Sequence, residues 1–299
     1  MGFAVRSLQT DFAAQVSGLD LREPLTNADY KTLCATFDEY PVVVLPGQDI
    51  SDAQQIAFSK RFGALELPGA ASNITKSEDR RLGKSAMADI SNLDKSGSLL
   101  NGNARQRMFN LGNRLWHSDS SFRPIPAQYS MLSAREVPGV GGETQFADMR
   151  AAYAALDSET QAELAQLICE HSLMFSRGAL GFADDLSPEE RCNFKPVHQR
   201  LIRTHPSTQR KSLYLSAHIG GIVGWLKPEA RILIRELTEE ATRDQFVYTY
   251  EWQRYDLVIW DNQCTMHRAR PFKDKQHVRD MRRTTVAGIE PTVAGQVSV

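Results

Sequence analysis

A histidine and an aspartate stand two residues apart in the segment Leu115–Phe122, whose sequence is LWHSDSSF. Because side chains alternate along a strand, His117 and Asp119 would point to the same side if this segment is extended. His267, at the end of the downstream segment WDNQCTMH, offers a third ligand. Two imidazoles and one carboxylate suit a non-haem Fe(II) oxygenase, although zinc hydrolases use the same residue types. The triad therefore predicts a metal site without identifying the metal.

A His-x-Asp pair alone also occurs on protein surfaces and in cores, so further residues are needed to indicate a metal site. Two arginines and a threonine would support such a site. Arg279 and Arg283 would share a strand face about 13 Å apart, at roughly 3.3 Å per residue. Guanidinium groups bind carboxylates through two hydrogen bonds, so this pair could hold two carboxylates. The alternative is a solvated basic edge strand. Thr144 follows a Gly-Gly-Glu turn that lacks the Gly-Lys-Ser/Thr of a phosphate loop, and its hydroxyl could share a carboxylate with an arginine.

The elements that would position these residues are mostly strands. We predict a mainly β fold with peripheral helices and a jelly-roll (double-stranded β-helix) core. Val42–Leu45 is an apolar run typical of a buried strand, and Thr26 with Asp29 predicts a capped helix. No repeat or composition shift marks a linker, so residues 1–299 are predicted to form a single domain. Irregular stretches near 67–114 and 176–200 are predicted to be loops over the site, the alternative for the first being a mobile insertion without a role.

The composition argues against several classes of protein. The 299 residues carry a net charge of −1, which gives no general reason to expect nucleic-acid or anionic-membrane binding. The longest apolar runs are strand-sized, and the N-terminus lacks the basic and apolar regions of a secretory signal. The four cysteines show no Cys-x-x-Cys spacing and are expected to be reduced thiols. We therefore expect a cytoplasmic protein with no membrane span.

Four motifs in order resemble those of the taurine/2,4-dichlorophenoxyacetate dioxygenase family, whose members depend on Fe(II) and 2-oxoglutarate. They are WHSDSSF at 116–122, GGETQF at 141–146, WDNQCTMHR at 260–268 and RRTTVAG at 282–288. The similarity extends over nearly the whole chain and is greatest to the 2,4-dichlorophenoxyacetate branch. The resemblance implies Fe(II) as cofactor, with 2-oxoglutarate and O2 as co-substrates.

The resemblance also implies roles for individual residues. His117, Asp119 and His267 match the iron ligands. Thr144 and Arg279 match the pair that holds the distal carboxylate of 2-oxoglutarate. Substrate contacts are implied for four further positions, which are Arg283, Asn113, His205 and His218. Of these, Arg283 would bind the anionic group of the substrate. Because ligand histidines must be neutral, activity should fall as the pH drops through roughly 6.

The implied reaction is hydroxylation of a small carboxylate, an aryloxyalkanoate such as 2,4-dichlorophenoxyacetate. Hydroxylation beside the ether oxygen would give a hemiacetal that falls to a phenol and glyoxylate, alongside succinate and CO2. This is the chemistry of aromatic-compound catabolism and herbicide degradation. The alternatives are a sulfonate or another aromatic acid as substrate, a zinc hydrolase, and a non-catalytic metal-binding module. The expected partner is a small anionic aromatic molecule, and the chain is expected to form a homo-oligomer.

Overall fold

The computed structural model describes residues 2–67, 80–82, 86–182 and 187–294, in which the chain is mainly β with some helices, as predicted. The strands are β1 Ala4–Gln9, β2 Ala13–Ser17, β3 Val42–Leu45, β4 Ala88–Ser91, β5 Tyr129–Glu136, β6 Thr144–Asp148, β7 Ile168–His171, β8 Val197–Arg200, β9 Ile202–Thr204, β10 Lys211–Leu213, β11 Ile219–Ile222, β12 Val247–Tyr250, β13 Leu257–Asp261, β14 Thr265–Ala269 and β15 Asp280–Thr285. The helices are α1 Asn27–Glu39, α2 Asp52–Ser59, α3 Arg105–Asn110, α4 Met149–Ala154, α5 Ser158–Leu164, α6 Leu173–Ala179, α7 Pro188–Asn193 and α8 Lys227–Ala241. None of these helices is both long and apolar enough to cross a membrane.

A seven-stranded sheet in the order β1-β2-β3-β13-β5-β15-β4 forms the larger layer. At its centre Ile259 of β13 pairs with Val43 of β3 on one side and with Met131 of β5 on the other. Every residue of β3 and β13 is buried. A strand covered on both faces has no polar side to show, which explains the uninterrupted apolar run of β3.

A smaller sheet, β12-β6-β14, shares a core with the larger one. Phe146 of β6 and Trp260 of β13 are both buried, with ring centroids 5.5 Å apart. Leu132 of β5 and Met281 of β15 belong to the same apolar cluster. The two sheets therefore face each other across this cluster, and burial of its large side chains is the main force that holds them together.

Helices α1 and α2 cover the opposite face of the large sheet. Leu33 and Phe37 of α1 and Phe58 of α2 pack in one cluster with Val43 and Ile259. The predicted start of α1 is confirmed, because the Thr26 side chain accepts a hydrogen bond from the backbone N–H of Asp29 at 3.1 Å. Such caps satisfy a backbone donor that the first helical turn leaves free.

The two stretches predicted to be irregular loops contain regular elements. The first includes β4, which pairs with β15 at the edge of the large sheet, and α3. The second begins inside α6 and includes α7 and β8. Strand β4 is defined by its pairing with residues nearly 200 positions away, which local composition cannot reveal. Residues 68–79, 83–85 and 183–186 of these stretches lie outside the described part of the chain.

Candidate metal and substrate site

The backbones of His117 and His267 form an isolated antiparallel bridge. The His117 N–H donates to the His267 carbonyl at 3.0 Å, and the His267 N–H donates to the His117 carbonyl at 2.8 Å. The extended strand over 115–122, which the argument from side-chain alternation assumed, is therefore not formed. Apart from this bridge the segment has no strand pairing, and it turns at Asp119 and Ser120, where Ser120 has a φ of 55°. The turn, rather than strand alternation, brings Asp119 to the two histidines.

Three side chains converge at the bridge. The Nε2 atom of His117 lies 3.9 Å from Oδ1 of Asp119, and the Nε2 atom of His267 lies 3.6 Å from Oδ2. One donor atom from each of the three buried residues lies within 4.8 Å of the others, an arrangement that could hold a metal ion. Nδ1 of His117 is 2.7 Å from the Leu115 carbonyl oxygen. A hydrogen bond of this kind fixes the ring proton on Nδ1 and leaves the Nε2 lone pair available to a metal.

Burial and neighbouring charges set the protonation states of the triad. Burial lowers the pKa of His117 and places that of His267 well below its usual value, so burial favours the neutral form of both rings. The expected loss of activity through roughly pH 6 should therefore shift to lower pH. Burial alone would raise the pKa of Asp119, but the Arg283 guanidinium and the hydrogen bond from Ser130 act in the opposite direction, and that pKa lies below its usual range. Two neutral imidazoles and an ionised carboxylate fit Fe(II).

Asp119 is held by residues that the sequence analysis did not single out. The Ser130 hydroxyl donates to Oδ2 of Asp119 at 2.7 Å, and the Asn262 amide donates to that hydroxyl at 3.0 Å. The backbone N–H of Asp119 donates to Oδ1 of Asn262 at 3.1 Å, and Nε1 of Trp260 donates to the same oxygen at 3.0 Å. These contacts fix the carboxylate as outer partners of a metal site do.

One cavity beside the triad is built to receive an anion. Thr144 and Arg279 line it together with His117 and His267. Arg279 is buried, and burial lowers its pKa to about 10, which leaves it a cation at neutral pH. In the described part of the chain no carboxylate lies within 4.0 Å of its guanidinium. The Thr144 hydroxyl accepts from Nε1 of Trp252 at 2.9 Å, so its own proton remains available to a ligand.

A second cavity reaches the triad from another side. His117, Asp119 and His218 line it, and its apolar wall includes Phe109, Phe122, Leu173, Leu93 and Met87. The His218 ring makes an edge contact with Phe122, with centroids 4.9 Å apart. Asn113 and Arg283 line both cavities, and Arg283 donates to Oδ1 of Asp119 at 2.5 Å. The two cavities thus meet at the triad.

The structure does not bring His205 to either cavity. Its Nε2 atom lies 2.8 Å from Oδ2 of Asp261, and its Nδ1 atom contacts the Ser207 hydroxyl and the Thr208 N–H. With both ring nitrogens engaged and the ring buried, His205 is a structural residue in the described chain. The implied substrate contact for His205 therefore finds no support in the geometry.

Arg177 is a cavity residue that sequence reasoning missed. It is buried near the end of α6 and lines the same cavity as His218. Its position falls in the stretch that was predicted to be irregular, where a single arginine gave no pattern to recognise. Only its spatial proximity to the histidines identifies it.

Comparison with known proteins decides the family. The model of the taurine catabolism dioxygenase TauD, TfdA family matches residues 4–285. The chain belongs to this family.

The similar proteins share nearly the full length of this TauD/TfdA-family chain. An alpha-ketoglutarate-dependent 2,4-dichlorophenoxyacetate dioxygenase of Cupriavidus pinatubonensis is 42% identical over 285 residues, covering 95% of this chain and 98% of that protein. The (S)-phenoxypropionate/alpha-ketoglutarate-dioxygenase of Sphingobium herbicidovorans is 36% identical, with coverages of 96% and 95%. The crystal structure of AAD-2 with Mn(II) and N-oxalylglycine matches with a TM-score of 0.94 and 56% identity, over 98% of this chain and 100% of that one.

These findings confirm the predicted enzyme class. The chain is a 2-oxoglutarate-dependent dioxygenase that uses Fe(II) and O2. The donor set agrees with this cofactor, since it comprises two imidazole nitrogens and a carboxylate oxygen within 4.8 Å of one another.

Proposed function

We propose that this enzyme hydroxylates the carbon beside the ether oxygen of an aryloxyalkanoate. One observation carries the proposal: the His117, Asp119 and His267 triad lies where an anion-binding cavity meets an aromatic one. One atom of O2 goes into the substrate C–H bond and the other into succinate, as 2-oxoglutarate loses CO2. For an aryloxyacetate, the hydroxylated product is a hemiacetal that breaks its C–O bond to give a phenol and glyoxylate.

His117, Asp119 and His267 would hold the iron. When bound, Fe(II) would activate O2, which is the oxidant and reacts only slowly with a C–H bond when no metal is present. The protein keeps the ligands ready: burial keeps both imidazoles neutral, and Ser130 and Arg283 hold the carboxylate in its charged form. A ligand set that is already deprotonated binds a cation without first releasing protons.

Arg279 and Thr144 would hold the distal carboxylate of 2-oxoglutarate. A buried guanidinium without a carboxylate partner in the described chain gains most from an incoming anion, because burial strengthens the electrostatic attraction. The Thr144 hydroxyl would donate a further hydrogen bond while Trp252 fixes its orientation. Holding this carboxylate at the far end of the cavity would turn the keto acid end of the molecule toward the triad.

Arg283, Asn113 and His218 would contact the prime substrate. Arg283 uses one nitrogen for Asp119, while its buried Nε has no partner in the described chain and remains available. The apolar wall with Phe109 and Phe122 suits an aromatic ring. Fixing both the ring and the anionic group makes the attack on one C–H bond effectively intramolecular.

The architecture is also part of the proposal. The two facing sheets support a jelly-roll core, and the shared apolar clusters support a single domain over residues 1–299. Within the segments near 67–114 and 176–200, the described residues would cover part of the substrate, since Met87, Phe109 and Arg177 line the aromatic cavity. A cytoplasmic location and a homo-oligomer stay predictions.

A substrate panel tests the proposed function. The enzyme with Fe(II), 2-oxoglutarate and O2 is offered aryloxyacetates, aryloxypropionates, cinnamates and sulfonates, and succinate formation above the substrate-free rate is measured. We expect the largest increase with aryloxyalkanoates, together with phenol release. A larger increase with sulfonates or cinnamates would reject the substrate class while keeping the chemistry. Hydrolysis that needs neither 2-oxoglutarate nor O2 would instead indicate a zinc hydrolase. Metal binding without any turnover would indicate a non-catalytic binding module.

A further inference from the structure

Arg177 is a buried cation whose guanidinium faces the substrate cavity and has no carboxylate partner among the described residues. It is 5% exposed, and none of the described carboxylates lies within 4.0 Å of its guanidinium. Its Nε is buried and has no hydrogen-bond partner in the same part of the chain. Burial lowers the pKa of Arg177 only to about 10, so the group is charged at neutral pH. A buried charge is costly unless something compensates it, and the described part of the chain supplies no anion here.

The neighbours of Arg177 connect it to the aromatic cavity and the triad. One of its terminal nitrogens donates to the Ser176 hydroxyl at 3.1 Å, and that hydroxyl lies 2.9 Å from Nδ1 of His218. The ring centroid of His218 is 6.0 Å from that of His117. A continuous polar strip therefore runs through Arg177, Ser176 and His218 and ends beside His117. Arg177 and His218 both line the cavity that also holds Phe122.

The position of Arg177 is set by close packing. Its guanidinium carbon lies 4.1 Å from the centroid of the Phe109 ring. A Cβ atom at Gly112 would stand 2.0 Å from its terminal nitrogen, so the backbone at 112 leaves room for the guanidinium only because that residue is glycine. A cation–π contact offsets part of the cost of burial but does not satisfy the free N–H of Nε. The guanidinium is thus fixed in place, and its Nε N–H has no hydrogen-bond acceptor in the described chain.

We propose that Arg177, with Ser176 and His218, forms a carboxylate-binding subsite that anchors the prime substrate. This inference rests on the proposed aryloxyalkanoate function and adds an anchor to Arg283. The two arginines differ in what they face, since Arg283 already donates to Asp119 whereas Arg177 meets no protein carboxylate in the described chain. A substrate carboxylate at Arg177 would lie next to Phe109 and Phe122, which would then contact the aromatic ring.

The test compares a carboxylate with its neutral analogue. Phenoxyacetate and phenoxyacetamide are titrated into the full-length enzyme loaded with Mn(II) and N-oxalylglycine, and dissociation constants are measured by calorimetry. In Arg177→Met we expect the phenoxyacetate constant to rise about tenfold or more, the range for a lost charge-assisted hydrogen bond. The phenoxyacetamide constant should change less than about threefold. Arg177→Lys keeps the charge and should recover part of the loss.

The outcomes separate this subsite from a structural role and from the proposed function. Equal weakening of the acid and the amide in Arg177→Met would show that Arg177 only supports packing, and the proposal would be overturned. If Arg177→Met does not fold, Ser176→Ala provides the same comparison with a smaller expected loss. If the wild type binds no aryloxyalkanoate, the proposed substrate class fails. In that case acetate and benzoate should still raise the melting temperature of the wild type, but they should not raise that of Arg177→Met. If the two proteins respond equally, the proposal of a carboxylate-binding subsite is overturned.

Discussion

The Ser130 hydroxyl donates to Oδ2 of Asp119 at 2.7 Å, across the interface between the large sheet and the turn that follows His117. This contact links the core strand β5 to the triad. It means that the position of the carboxylate depends on a residue of the sheet as well as on its own turn. Metal affinity should therefore respond in a graded way to changes at the two positions.

Asp119→Ala should weaken Fe(II) or Mn(II) binding by more than about 100-fold, because loss of outer partners alone costs 10–100-fold. Ser130→Ala should weaken it by about tenfold. Ser133→Ala, which removes a buried hydroxyl on the same strand that has no partner in the described chain, is the matched control and should leave affinity unchanged. Anaerobic calorimetry measures all three. Normal metal binding by Asp119→Ala would remove this residue from the ligand set.

Arg279→Met and Arg283→Met should affect different molecules. Arg279→Met should raise the KM for 2-oxoglutarate about 10–100-fold, since it removes the buried cation beside Thr144. Arg283→Met should mainly raise the KM for the prime substrate and increase the fraction of 2-oxoglutarate consumed without product. Arg268→Met is the control, because Arg268 lies outside both cavities and its Nε donates to Gln145. Equal changes in both KM values for both variants would contradict the division of roles.

His205→Ala should act on stability and not on substrate binding. Removing the ring leaves Asp261 without its 2.8 Å contact in a buried setting, which costs about 1–3 kcal/mol of unfolding free energy. The KM for the prime substrate should stay within about twofold, whereas His218→Gln should raise it. Denaturant unfolding and steady-state kinetics check the two effects. A large KM increase in a stable His205→Ala protein would restore the substrate contact that the sequence implied.

His171 should make the fold acid-sensitive. Its ring is fully buried with no hydrogen-bond partner in the described chain, and burial lowers its pKa to about 3. The unfolded chain takes up a proton near pH 6.5, whereas the folded one does not, so stability is complete above that pH and falls as the pH drops. The loss should reach about 2 kcal/mol at pH 5. His171→Phe should flatten this dependence between pH 7 and pH 5 in denaturant unfolding, and an unchanged slope would contradict the assignment.

The three residues proposed as metal ligands from the sequence lie together in the structure, but the local argument for them was wrong. Residue types and family motifs pointed to His117, Asp119 and His267, but the predicted strand is a bridge and a turn. The buried strand β3 and the cap at Thr26 were predictable because each depends on its own neighbours in sequence. These are the features that local propensity governs.

What could not be predicted depends on contacts between distant segments. Ser130 and Arg177 look like any serine and arginine until the fold sets them beside Asp119 and His218. Strand β4 exists only through its pairing with β15. His205 shows the same dependence on the fold, since its ring faces Asp261 and not the two cavities. Long-range packing decided all of these cases, and single-sequence periodicity does not report it.

The proposed reaction is tested by the ratio of phenol to succinate that the Fe(II)-loaded enzyme forms from one aryloxyacetate. Both products are quantified in the same reaction, with and without 2-oxoglutarate, for the wild type and Asp119→Ala. We expect a ratio near one in the wild type, no phenol when 2-oxoglutarate is omitted, and neither product from Asp119→Ala. Formation of phenol without 2-oxoglutarate would contradict the proposed reaction. The reaction would also be contradicted if the aryloxyacetate did not change the rate of succinate formation and no phenol appeared.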